Sequence, residues 1–120
     1  MNRQTIELDI SKPERGHAAV RLAQGDSGGA EIEALIYDHG EEVQLDSCEA
    51  WLVATLPDGR GRYRAKCATS GNAAIATVDE SRLCAVPGYT DEAYFSVAKD
   101  GRTYSTERFA LDIERGWTGE

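Results

Sequence analysis

The chain has 120 residues, 41% hydrophobic and 28% charged, and a net charge of −8. That length suits one domain able to bury roughly two-thirds of its unfolded surface without an obligatory disulfide or metal. The negative charge opposes a phosphate backbone, which argues against nucleic-acid binding, and no apolar run approaches the ~20 residues of a membrane-spanning helix.

Met1 to Thr5 leads directly into an alternating segment and lacks the apolar stretch of a signal peptide, so synthesis in the cytoplasm without such a peptide is expected. From Thr5 to Ile10, Ile6, Leu8 and Ile10 share one face while Glu7 and Asp9 share the other, the period of a half-buried strand. Lys12, Pro13 and Gly16 break the pattern, and Ala18, Val20 and Leu22 resume it. The run Gly25-Asp26-Ser27-Gly28-Gly29 follows, and then a strand over 31–37 with Ile32, Ala34 and Ile36 inward. Asp38-His39-Gly40 reads as a turn, followed by a short run with Val43 and Leu45.

Residues 48–56 carry apolar side chains on both faces, as a central strand does. Pro57-Asp58-Gly59 is a turn, because proline sets φ, aspartate bonds back to the backbone and glycine accepts φ > 0. Tyr63, Ala65 and Cys67 alternate in the return, and a further strand over 74–78 follows the Ser70-Gly71-Asn72 turn. Residues 80–85 fit one helical turn, and Pro87-Gly88 fits a type II turn. Between 92 and 99, Ala93, Phe95 and Val97 face one way and Tyr94 the other. Asp100-Gly101 is a hairpin signal, and one last strand running to about Ile113 presents Phe109, Leu111 and Ile113 together. Short alternating runs with turn signals every 8–12 residues or so predict an all-β sandwich or barrel. One domain over 1–120 is expected, with its core at about 5–114 and residues 115–120 as a tail or the start of a linker.

Several constellations carry possible chemistry. Gly25 to Gly29 matches the loop around the nucleophilic serine of chymotrypsin-like proteases, but such a serine needs a base and an orienting carboxylate. Only 26 residues precede Ser27, His17 is about one strand upstream and His39 lies downstream. A glycine-rich turn between strands is the better reading. Cys48, Cys67 and Cys84 form no CxxC pair, so buried free thiols are expected, with one disulfide and a spare thiol as the alternative. The histidines and cysteines lack zinc spacing, and Asp38-His39-Gly40-Glu41-Glu42 lacks the spaced ligands of an EF-hand, so no metal or cofactor is expected. Glu7/Asp9 and Glu31/Glu33 sit on polar strand faces, as a half-exposed sheet requires. Trp51, Tyr63, Tyr94, Tyr104 and Trp117 are candidates for a sugar-stacking surface, with Trp51 and Tyr63 better placed as core and Trp117 at a sandwich edge or a protein contact.

The order of these pieces resembles the N-terminal domain of phage baseplate upper proteins. The matching segments are Arg21 to Ser27, the strand over 31–37, Asp38-His39-Gly40, residues 41–45, and the strand from Cys48 ending in Pro57-Asp58-Gly59. Near the end come Tyr94 to Arg102 and Tyr104 to Ile113, where an Asp-Gly hairpin precedes Ser105, Thr106 and Phe109. The resemblance implies an immunoglobulin-like antiparallel β-sandwich of about seven to nine short strands. It further implies a structural adaptor, not an enzyme, that attaches receptor-binding machinery to the tail core. Its expected partners are the distal tail hub and the receptor-binding protein, with self-association open, and its expected location is the virion baseplate. In longer members helical and receptor-binding regions follow. The alternative reading is a carbohydrate-binding or adhesion module using exposed aromatics, and a hydrolase centred on Ser27 is a distant third.

Overall fold

The computed structural model describes residues 2–11, 15–23, 30–56, 61–78 and 88–114, and every regular element among them is a strand. The first sheet contains β1 (Asn2–Asp9), β3 (Ala30–Asp38), β4 (Glu41–Glu42), β7 (Ala68–Ser70) and β8 (Ala73–Val78). The second contains β2 (Arg15–Ala23), β5 (Glu49–Thr55), β6 (Arg62–Lys66), β9 (Gly88–Lys99), β10 (Arg102–Ser105) and β11 (Arg108–Glu114). The strand order is β1-β3-β8-β7 in one, with β4 on β3, and β2-β11-β9-β5-β6 in the other, with β10 on β9. The expected all-β sandwich is the observed class.

Alternation builds the core as expected. Ile32, Ala34 and Ile36 are fully buried on the inner face of β3, and Ala50, Leu52 and Ala54 answer them from β5. Phe95 and Phe109 stack between the sheets with ring centroids 5.8 Å apart. β5 is central, held between β9 and β6, which accounts for its two apolar faces. Two hairpins behave as their turn residues dictate. His39-Gly40 has φ of 52° and 82°, and Asp100-Gly101 has 53° and 78°. Positive φ at both central positions is the type I′ turn whose twist matches paired strands.

The described strands number eleven, above the seven to nine expected, and pairing is not purely antiparallel. β1 runs parallel to β3 because β2, lying in the other sheet, separates them along the chain; β2 likewise runs parallel to β11. Gly16, expected in a break, lies inside β2, where the register against β11 shifts between Arg108 and Ala110. A glycine at a strand irregularity has a place. Residues 68–70 form β7 because the chain crosses to the first sheet after Cys67. The turns expected at Gly25 to Gly29, Pro57-Asp58-Gly59 and Pro87, and the segment 80–85, lie outside the described residues, as do 115–120.

The single last strand of the sequence reading is two strands parted at Thr106. Thr106 is almost fully buried, and its hydroxyl accepts the Phe95 N–H at 3.0 Å while donating to the Glu107 carbonyl at 3.0 Å. The hydroxyl thus replaces a ladder carbonyl where β10 hands over to β11. Thr106→Val keeps the shape and removes the acceptor, so it is expected to cost about 1–2 kcal/mol. Urea unfolding of the two proteins checks this, and equal midpoints would contradict it. Between β1 and β2, the Gln4 amide accepts the Arg21 N–H at 3.1 Å and donates to the Arg21 carbonyl, tying the β1 edge to the β2 edge.

Candidate functional site

At one end of the sandwich, the end of β1 meets the β3–β4 hairpin. Asp9, expected on a polar face, is 7% exposed there. One of its carboxylate oxygens, Oδ1, accepts Ser11 N–H at 2.8 Å, Ser11 Oγ at 2.6 Å and His39 N–H at 3.2 Å; Oδ2 accepts Gly40 N–H at 3.0 Å. Burial pushes this carboxyl up, but the bonds from Ser11, Gly40 and His39 together outweigh it and bring it down to about 2. The Glu107 N–H donates to the Asp9 carbonyl at 3.0 Å, and Glu107 Oε2 accepts the Asp9 N–H at 3.2 Å. Asp9 therefore organises turns of both sheets; its lone pairs are committed to backbone and Ser11 donors, which leaves it poorly placed as a general base.

Beside this knot, a crevice of about 220 Å³ opens between the sheets, with Ile10, Ile36, Val43, Cys48 and Val97 in its walls and Tyr104 at its mouth. Tyr104 is 41% exposed. The lining is mainly apolar, with Asp38 and Lys99 also contributing to it.

Glu7, Glu31 and Glu33, the other acids singled out on strand faces, are engaged in surface contacts. Glu31 accepts Arg3 at 2.8 Å, Glu33 accepts Thr5 Oγ1 at 2.9 Å, and Glu7 accepts the Tyr37 hydroxyl at 3.2 Å. His39 is exposed at a hairpin tip with Nδ1 2.8 Å from Asp38 Oδ1. Among the described residues, no three His, Cys, Asp or Glu side chains gather as metal ligands. Ser27 lies outside the described residues, as does the His17 side chain, so neither is placed near the other.

Cys48 and Cys67 are free thiols, and Cys84 lies outside the described residues. Burial pushes the Cys67 thiol up to about 12, against a smaller opposing effect of a backbone hydrogen bond at Leu52. Alkylation proceeds through the thiolate. Iodoacetamide at neutral pH is therefore expected to spare Cys67 in the folded protein and to label it only after denaturation, as peptide mass mapping would read. Rapid native labelling of Cys67 would contradict its burial.

The aromatics do not form one platform. Tyr63 is in the core as expected. Trp51 is not: it lies on the outer face of β5, half-buried, with the Arg64 guanidinium 4.6 Å from its ring centroid. The reason is parity, since Ala50, Leu52 and Ala54 already occupy the inner face. Tyr94 shares that outer face, opposite Val53, whereas Tyr104 sits at the crevice and Trp117 is outside the described residues. The sequence reading also passed over Arg62, Arg64 and Lys66. They are exposed on alternate positions of β6, and Lys66 and Arg64 lie opposite Trp51 and Val53. The period-two spacing of the three cations was the available signal.

Two sheets, each with a parallel pair, and a knotted hairpin end define the described residues as a β-sandwich. No family model and no curated protein matches the sequence. Among solved structures, the chain is similar to the N-terminal domain of phage TP901-1 ORF48. The TM-score is 0.74 at 19% identity, covering 95% of this chain and 99% of that one. The structural likeness and the sequence resemblance arrive at the same fold.

Proposed function

We propose that this chain is a structural domain of a phage tail, an adaptor in the baseplate that attaches receptor-binding machinery to the tail core. The observation that carries the reading is the near end-to-end likeness to the N-terminal domain of phage TP901-1 ORF48. The order of motifs from Arg21 to Ile113 supports it independently. The chemistry agrees: an adaptor needs a rigid scaffold and complementary surfaces, and Asp9 and the Gln4 clasp serve rigidity. The division of Trp51, Tyr94 and Tyr104 between two surfaces favours protein docking over a sugar platform.

The test is binding of the purified chain to the distal tail hub protein of the same phage, by calorimetry. Saturable binding is expected, and Ser27→Ala is expected to leave it unchanged. Failure to bind any virion protein would overturn the reading, and covalent labelling of Ser27 by a fluorophosphonate would restore the hydrolase.

A further inference from the structure

The chain is strongly acidic, yet β6 concentrates positive charge. Arg62, Arg64 and Lys66 fall within five residues and are all exposed on one face. Arg3 reaches Glu31 at 2.8 Å and Arg108 reaches Glu92 at 3.2 Å, whereas these three make no salt bridge among the described residues. The ridge lies along an edge strand: among the described residues, β6 pairs only with β5. Beside it run Trp51 and Val53, then Ser96 and Tyr94 of β9. The Trp51 ring holds the Arg64 guanidinium at 4.6 Å, which limits the side-chain freedom that binding would otherwise have to remove. Tryptophan, tyrosine and arginine are the residues that dominate binding at protein interfaces.

We propose that the face formed by Arg62, Arg64, Lys66 and Trp51 docks an acidic patch of a partner protein. Charge complementarity selects the occupant. Three cations without a salt bridge among the described residues favour a local cluster of Asp and Glu, and they orient its approach through an otherwise repelling field. A nucleic acid fits less well. At a rise of roughly 3.3 Å per residue the ridge is only about 13 Å long, and a longer polyanion would run onto the acidic remainder of the chain. Charged residues on an edge strand also discourage strand-to-strand aggregation, but that role requires no arginine clasped over a tryptophan.

The inference rests on the tail-protein reading only for the name of the partner. Binding to the distal tail hub is measured at low and high salt for the wild type, for the triple variant Arg62→Thr, Arg64→Thr, Lys66→Thr, and for Arg62→Glu, which leaves the Arg64–Trp51 stack in place. Threonine keeps strand propensity, and circular dichroism with melting curves verifies folding. The triple variant is expected to bind roughly tenfold to a hundredfold more weakly, with a flatter salt dependence, and Arg62→Glu is expected to weaken binding in the same direction. Unchanged affinity of the folded variants overturns the ridge and leaves the tail-protein reading standing. If the wild type does not bind the hub, the ridge is decided by NMR titration of the isotope-labelled chain with a glutamate-rich peptide, and the tail-protein reading fails once no other virion protein binds either. Shifts centred on β6 and the Trp51 indole support the ridge; their absence overturns it. Tighter binding of a short DNA duplex through the same residues overturns the assignment to an acidic protein.

Discussion

Phe95→Ala is expected to be the most damaging single substitution, lowering the unfolding free energy by about 3–5 kcal/mol. Phe95 is fully buried in β9, the strand to which β5, β10 and β11 all bond. Its ring stacks on Phe109 at 5.8 Å, so truncation removes one ring and uncovers another. The Leu52 position opposite it and the Thr106 hydroxyl that accepts its N–H fix the backbone, which limits collapse into the cavity. A domain of this kind has about 5–15 kcal/mol in total, so about a fifth or more would go. Urea unfolding followed by tryptophan fluorescence gives the number, and a loss below about 1.5 kcal/mol would mean that the core there is loose.

The second large effect is at Asp9. Asp9→Ala leaves the N–H groups of Ser11, His39 and Gly40 without their acceptor, at a cost of about 2–4 kcal/mol. The pH dependence follows from the sign of the shift. The Asp9 carboxyl stands at about 2 in the folded protein, below the ordinary value near ~3.9 in an unfolded chain. Its contribution is therefore fully present above about pH 4 and is lost as pH falls toward about 2. Melting temperatures taken from pH 6 down to about 2 are expected to fall more steeply for wild type than for Asp9→Ala, the two curves converging at the acid end. Parallel curves would place the acid sensitivity elsewhere.

Much of the fold was legible in short-range pattern. Alternation placed Ile32, Ala34 and Ile36 inside, the two apolar faces of residues 48–56 marked a central strand, and Asp100-Gly101 marked its hairpin. These are consequences of strand period and backbone sterics, which act within a few residues. The surface chemistry was less legible. Asp9 had the alternation of a solvent-facing acid, and only the arrival of the His39-Gly40 hairpin from the neighbouring strand buries it. Trp51 had the size of a core residue, but its strand presents alanine and leucine inward and sends the indole outward beneath Arg64.

Composition, alternation and turn residues by themselves determined the all-β class and the inward face of most strands. Tertiary structure decided which strands became neighbours, including the parallel pairs β1–β3 and β2–β11. It also decided the handover at Thr106, the burial of Asp9 and the alignment of Arg62, Arg64 and Lys66 beside Trp51. The division has a physical cause. Side-chain alternation is set by each strand's own geometry, whereas partner choice depends on segments far apart in the chain closing on one another, and period-two patterns do not distinguish among those partners.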